Sequence, residues 1–171
     1  FDGQTDQQGN FSFSLNKIKT EDAPGILNAV FTTRVFENGG DFSISSQSIR
    51  YSPYDEYVGI RLPENDDNWY STEQPIRLQG VTITPTGKQS GNATIQIEVY
   101  KLDWHWWWDS EDENLGSYVN REYSSSVLSQ KVKATDGRFQ LDLHIPKYGR
   151  YFIRATDPSG HTSGLIAYFG S

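Results

Sequence analysis

The residues best suited to nucleophilic catalysis are serines, histidines and aspartates in the second half of the chain. Ser124–Ser126, His144 or His161, and Asp142 or Asp157 could supply the nucleophile, base and orienting acid of a triad. A triad is defined by geometry, however, and the sequence has no Gly-x-Ser-x-Gly elbow to present a serine on a sharp turn. We therefore predict that the histidines are structural or solvent-facing, that no residue is catalytic and that the chain is not an enzyme.

Composition limits metal and thiol chemistry. The chain has no cysteine, which excludes a thiol nucleophile, a Cys-ligated zinc or iron–sulfur site, a disulfide and a thioester within it. The loop 109–114 offers oxygen ligands of the kind that Ca²⁺ prefers: Asp109, Glu111, Asp112, Glu113 and Asn114. Because this loop lacks the glycine and the bidentate glutamate of an EF-hand, we predict a solvated acidic hairpin tip, with no metal and no cofactor. Weak calcium binding stays open as an alternative.

A run of tryptophans is the most conspicuous candidate contact site. On a β-strand, Trp104, Trp106 and Trp108 would share one face, while Trp107 would lie on the other. Exposed indoles could stack on pyranose rings, whereas buried ones would pack a core and a contact between domains. The alternation continues without a break from Tyr100, which favours packing, and Trp107 is the best candidate for exposure.

The elements that must position these residues are short strands. Aromatic residues are abundant (5 Trp, 10 Tyr and 9 Phe) and stand with 15 Gly, a combination that favours pleated, half-buried surfaces separated by turns. Apolar residues alternate with polar ones in several segments: 11–15, 42–44, 76–78, 81–83, 95–99 and 139–145. The sequence predicts an all-β fold, an antiparallel immunoglobulin-like or macroglobulin-like sandwich.

An internal repeat predicts the domain organisation. Residues 5–15 resemble 135–143, a Thr-Asp turn that opens an alternating strand, and further glycine turns and strands follow each copy. The second copy closes a domain, so we expect the first copy to close one as well. Residues 1–53 are therefore predicted to be the C-terminal part of one β-domain, and residues 54–171 a complete sandwich.

Charge and hydropathy exclude two classes of partner. The net charge is -7 with no long basic block, which argues against a surface that tracks nucleic-acid phosphates. No apolar run approaches the roughly 20 residues that span a bilayer. We predict neither nucleic-acid binding nor membrane contact from this segment.

Several motifs resemble those of one family. The segment Trp69–Ile76 with the turn 85–88 and the strand 93–100 is similar to the opening of a macroglobulin domain. The tryptophan-rich strand 99–109, together with 32–43 and 51–54, resembles bacterial alpha-2-macroglobulin-like proteins. The resemblance implies tandem macroglobulin domains in a large cell-envelope protein that traps proteases through a bait segment and, in many members, a thioester. Neither is visible here, so no trapping residue is carried over.

The resemblance leads to two functional hypotheses. The first is a structural scaffold segment of an alpha-2-macroglobulin-like protease inhibitor in the periplasm or cell envelope of a bacterium. Its partners would be neighbouring domains of the same parent chain and, indirectly, a trapped protease. The alternative is an immunoglobulin-like envelope domain that binds glycan through the Trp104–Trp108 strand.

Overall fold

The computed structural model of the chain describes residues 1–15, 19–20, 22–65, 67–102 and 126–170. The regular structure of these residues consists of β-strands. In chain order they are β1 (Leu27–Phe36), β2 (Phe42–Tyr51), β3 (Tyr57–Arg61), β4 (Trp69–Ser71), β5 (Ile76–Ile83), β6 (Ala93–Leu102), β7 (Leu128–Ala134), β8 (Arg138–Leu143), β9 (Gly149–Thr156) and β10 (Thr162–Gly170).

The strands form three sheets. A five-stranded sheet has the order β4-β10-β9-β6-β7, and a three-stranded sheet has the order β3-β5-β8. Within the described ranges, β1 pairs only with β2. All strand pairs are antiparallel except β4 with β10, which is parallel. The two larger sheets pack face to face over one apolar core. The predicted all-β, antiparallel sandwich is therefore confirmed.

The core follows the alternation of the strands. On β6, Ile95, Ile97 and Val99 are fully buried, while the intervening side chains point away from the core. Most of the expected core positions are buried, namely Ile95, Ile97, Val99, Phe139, Leu143 and Ile153. Leu141 is partly buried against the same cluster. Each large buried side chain contributes about 1.5–3 kcal/mol relative to exposure to water.

Gly80 in the middle of β5 makes room for an aromatic ring. It lies opposite Phe139 of β8 in the sheet register, and a Cβ atom on Gly80 would stand 1.9 Å from Cζ of that ring. Phe139 is buried, so its ring lies across the glycine and fills the volume that a side chain would take. This close approach explains a glycine at a position where it would otherwise weaken the strand.

The β1–β2 hairpin differs from the rest of the fold in its exposure. Its register runs from Leu27 opposite Tyr51 to Phe36 opposite Phe42, yet most of its side chains are exposed. In the described part of the chain, every buried hydrophobic residue lies at or after Tyr57. The hairpin therefore forms a long, regular ladder without a core of its own.

One predicted strand is absent from the described residues. The alternation of Phe11, Phe13 and Leu15 predicts a strand, but residues 11–15 have no ladder partner there. The rings of Phe11 and Phe13 contact each other, with centroids 6.0 Å apart, and Phe13 also stacks on Phe1. An alternating pattern becomes a strand only when a neighbouring strand accepts its backbone hydrogen bonds, and none does so here.

Truncation of one core leucine tests the sandwich. Leu143→Ala should lower the free energy of unfolding by about 2–5 kcal/mol, because it removes buried methyl groups and leaves a cavity. Val81→Ala on the outer side of β5, where the side chain is 40% exposed, is the matched control and should change it by less than about 1 kcal/mol. Urea unfolding followed by tryptophan fluorescence measures both. Equal effects of the two substitutions would contradict the core assignment.

Candidate functional site

Ser124 and Ser125 lie outside the described residues. The candidate histidines and aspartates fall into two groups, Asp142 with His144 at the end of β8 and Asp157 with His161 in the turn between β9 and β10. Asp142 lies on the outside of the sandwich and pairs with Arg77, whose Nε is 2.9 Å from Asp142 Oδ1. This guanidinium lowers the pKa of the Asp142 carboxyl. His144 is exposed, and its Nε2 lies 3.3 Å from the carbonyl oxygen of Thr72. Both side chains are exposed to solvent, that of Asp142 on the outer side of β8 and that of His144 just after the strand ends.

The tryptophan candidates cannot be placed. Trp104, Trp106, Trp107 and Trp108, like the acidic loop 109–114, lie outside the described residues. Neither the stacking platform nor the packing interpretation is tested, and both stay predictions. Within the described ranges, no three histidine or carboxylate side chains converge as a metal site would require.

The polar side chains that do converge surround His161 in the turn between β9 and β10. The backbone N–H of Val58 donates a hydrogen bond to His161 Nδ1 at 3.1 Å. Because Nδ1 accepts, the single proton of the neutral ring is assigned to Nε2. The backbone of Pro24 is close enough to the ring to raise its pKa, against the larger lowering by burial. His161 thus connects the turn between β9 and β10 to β3, the first strand of the sandwich.

Asp157 shapes the turn that carries His161. Its Oδ1 accepts hydrogen bonds from the backbone N–H groups of Ser159 at 2.8 Å and of His161 at 3.2 Å. The Ser159 hydroxyl lies 2.7 Å from the same oxygen and 3.1 Å from the carbonyl oxygen of Glu56. Asp157 Oδ2 is buried, has no hydrogen-bond partner among the described residues, and lies 3.9 Å from His161 Nδ1. An aspartate that bonds the backbone two residues ahead is a standard turn former.

Two tyrosine rings enclose the histidine. The ring centroids of Tyr54 and Tyr57 lie 5.3 and 4.7 Å from that of His161. The Tyr54 hydroxyl donates to the carbonyl oxygen of Ala23 at 2.7 Å, and the Tyr57 hydroxyl lies 2.6 Å from Ser52 Oγ. We call the group Tyr54, Tyr57, Asp157, Ser159 and His161, with the carbonyls of Ala23 and Pro24, the joint.

The electrostatics of the joint favour a neutral histidine. Burial lowers the pKa of His161, and the nearby Asp157 carboxylate only partly opposes that effect. A second proton on Nδ1 would face the Val58 N–H, donor against donor. The joint therefore connects backbone segments, and its exposed hydroxyl, that of Ser159, lies within hydrogen-bond distance of Asp157 and of the Glu56 carbonyl. The sequence feature that indicates the joint is the segment Asp157-Pro158-Ser159. An aspartate in such a segment predicts a turn, whether or not it belongs to a catalytic triad.

The fold and the joint together define an all-β sandwich module with no assembled chemistry in its described residues. Residues 59–170 match the sequence profile of a family described as bacterial macroglobulin domain 6. The chain therefore belongs to the bacterial macroglobulin domain 6 family, and the predicted resemblance is confirmed. It is a structural domain of a bacterial macroglobulin-like protein.

The solved structures that match the chain have low sequence identity with it. A Salmonella alpha-2-macroglobulin is 17% identical with a TM-score of 0.38, and the match covers 88% of this chain and 11% of that one. The Yersinia pseudotuberculosis adhesin InvE is 11% identical with a TM-score of 0.46, covering 98% and 52%. A Listeria innocua beta-glucosidase is 10% identical with a TM-score of 0.41, covering 71% and 17%.

Two further findings are negative. No curated protein matches the sequence significantly. Across the described ranges, no helix has the length and apolar character needed to cross a membrane.

The buried neutral histidine predicts a pH dependence of stability. Because the folded-state pKa lies below the ordinary value of about 6.5, the unfolded chain binds more protons as the pH falls below that value. The stabilisation from neutral His161 is therefore complete above about pH 6.5 and is lost as the pH falls toward the folded-state pKa. Urea unfolding between pH 8 and pH 5 should show this loss.

The variant His161→Asn keeps an acceptor near the Nδ1 position but does not titrate, so it should flatten this part of the pH profile. The exposed His144→Asn is the control and should leave the profile as in the unsubstituted chain. If the free energy of unfolding of the His161→Asn variant depended on pH as steeply as that of the unsubstituted chain, this result would contradict a neutral His161 in the joint.

The Tyr54 hydroxyl should anchor the segment before β1. Tyr54→Phe removes the donor to the Ala23 carbonyl and should cost about 0.5–1.5 kcal/mol. Because the anchor is local, the backbone amides of Asp22, Ala23, Gly25 and Ile26 should exchange with solvent faster, while those of β6 remain protected. Tyr148→Phe, at a side chain that is 80% exposed, provides the control. No change in exchange at 22–26 would show that this hydrogen bond does not hold the segment.

Proposed function

We propose that the chain is a scaffold segment of a large alpha-2-macroglobulin-like protease inhibitor and has no catalytic chemistry of its own. The observation that carries the proposal is the match of residues 59–170 to bacterial macroglobulin domain 6. This match establishes the domain family, and the inhibitor role of the parent protein is our extension of it.

The polar groups of the described residues support a non-catalytic role. The buried titratable ones, His161 and Asp157, are committed to backbone hydrogen bonds in the joint, and the buried hydroxyls of Thr82 and Ser90 bond each other. The prominent ion pair on β5 and β8, Arg77 with Asp142, is exposed and lies on a sheet surface. A catalytic centre needs titratable groups that converge on a concave, partly dry pocket. The described residues offer structural polar contacts instead.

The domain arrangement is also part of the proposal. Residues 54–171 would form one complete macroglobulin sandwich, and residues 1–53 would be the C-terminal part of another. The distribution of burial supports this division, because β3–β10 surround the core and β1–β2 stand outside it. The joint then lies where the two units meet.

The partners proposed for the segment are other domains of the same parent protein and, indirectly, a trapped protease. The absence of cysteine from the sequence means that any Cys–Gln thioester of the parent would lie elsewhere. Proteins with this domain act outside the cytoplasm, and we propose the periplasm or cell envelope of a bacterium as the location.

A protease titration tests the inhibitor role. The natural polypeptide that contains this segment should reduce the digestion of casein by trypsin or elastase in a stoichiometric manner. The 171-residue chain on its own should leave digestion unchanged at every ratio, because a scaffold segment carries neither bait nor trap. Inhibition by the isolated chain would contradict the scaffold role. A natural polypeptide that leaves proteases of several specificities fully active would contradict the inhibitor role.

A further inference from the structure

The exposed β1–β2 hairpin has a counterpart inside the sandwich. In β1–β2 the last register pair before the turn is Phe36 with Phe42, and in β9–β10 it is Thr156 with Thr162. Equivalent positions therefore differ by 120 (156 − 36 and 162 − 42), and this offset holds along both ladders. The two hairpins have the same register relative to their turns.

The turns of the two hairpins also agree. The N–H of Glu37 bonds the carbonyl of Asp41 at 2.8 Å, as the N–H of Asp157 bonds that of His161 at 3.0 Å. Gly40 and Gly160 occupy the same turn position, with φ of 90° and 93°. Only glycine adopts this backbone conformation without strain. Both hairpins are thus built on one plan.

The surroundings of the two hairpins differ. β9 lies between β10 and β6, and its core-facing side chains Tyr151, Ile153 and Ala155 are buried. Their equivalents on β1 are Phe31, Thr33 and Val35, of which Phe31 is partly buried, whereas Thr33 is exposed and Val35 is 53% exposed. Among the described residues, β1 pairs only with β2. The hairpin β9–β10 is therefore covered by a facing sheet, whereas β1–β2 is partly buried only at the end of β1 that begins at Leu27 and is exposed along the rest of its length.

The composition of the hairpin shows which of its faces is suited to burial. Directly opposed residues share a face of an antiparallel ladder. The face that corresponds to the core side of β9–β10, which we call the inner face, carries no charged residue and comprises Leu27, Ala29, Phe31, Thr33, Val35, Ser43, Ser45, Gln47, Ile49 and Tyr51. Both arginines of the hairpin, Arg34 and Arg50, lie on the opposite, outer face. Burial of the inner face therefore does not remove any charged side chain from water.

The identities of equivalent residues in the two hairpins also indicate that the inner face is the one suited to burial. Phe31 and Ile49 on the inner face correspond to Tyr151 and Phe169, which contact each other in the core with centroids 5.6 Å apart. On the outer face, Arg34 corresponds to Arg154, whose Nη2 lies 2.7 Å from Glu98 Oε2 on the adjoining strand β6. The hairpin thus keeps apolar residues where its counterpart packs and a cation where its counterpart pairs across strands.

We infer that β1–β2 is the closing hairpin of a second sandwich, and that the open edge of β1 pairs with an antiparallel strand in the position that β6 holds beside β9. The occupant is a strand of the same parent polypeptide from the amino-terminal side of Phe1, and the sheet facing it covers the inner face. This inference deepens the proposed scaffold role and rests on the domain arrangement proposed there.

Cysteine labelling tests the inference, because the chain has no cysteine of its own. Val35→Cys and Ile49→Cys lie on the inner face, and Val30→Cys and Ile44→Cys are matched controls on the outer face. The four parent side chains start from similar exposures of 53%, 49%, 68% and 56%. Maleimide labelling, resolved by peptide mass spectrometry, is compared between the isolated chain and the longest natural polypeptide that contains it.

In the isolated chain, inner and outer cysteines should label at similar rates. In the natural polypeptide, the inner-face cysteines should label at least about tenfold more slowly than their outer partners, since they would be reached only by local opening. Equal rates in the natural polypeptide would overturn the inference. Concentration-dependent protection in the isolated chain would also overturn it, because a second copy would then be the occupant. Protection without protease inhibition would retain the inference and reject the inhibitor role alone.

Discussion

A β-sheet is stable in water only when one of its faces is buried against another layer. The three- and five-stranded sheets meet this requirement for each other through residues such as Leu78, Ile97 and Ile153, all fully buried. The β1–β2 ribbon does not meet it within the described residues, and an isolated two-stranded ribbon is marginal in water. The sheets thus differ in how far their faces are buried. This difference explains why the sandwich is expected to be stable and why the hairpin requires a partner.

The joint connects these two parts through polar contacts. An apolar interface would be stabilised by the area that it buries. This contact instead depends on a few atoms that hydrogen-bond defined partners. Tyr54 donates to the Ala23 carbonyl and so ties the segment before β1 to the residues that lead into β3. His161 accepts from the Val58 backbone and ties the turn between β9 and β10 to β3 itself. Buried polar groups favour a single geometry because any displacement leaves a donor or acceptor unpaired. The joint therefore suits a module whose role is to hold neighbours in place.

Much of the sandwich was predictable from sequence because alternation reports burial directly, as Ile95, Ile97 and Val99 on β6 illustrate. The predicted strand at 11–15 was wrong for the described residues, since alternation does not say whether a partner strand exists. The parallel pairing of β4 with β10 was missed because Trp69–Ser71 is too short to show a period. The joint was missed because His161 lies far along the sequence from Val58, and their contact exists only after the sheets pack.

Native-state hydrogen exchange on the isolated chain tests most directly the claim that the hairpin lacks a core of its own. Amides of β6 and β9 should exchange with opening free energies close to that of global unfolding, because the strands lie in the core. Amides within the β1–β2 ladder should exchange through openings of much lower free energy, although their hydrogen bonds are equally regular. Hairpin amides as protected as those of β6 and β9, in a chain shown to be monomeric, would contradict the account.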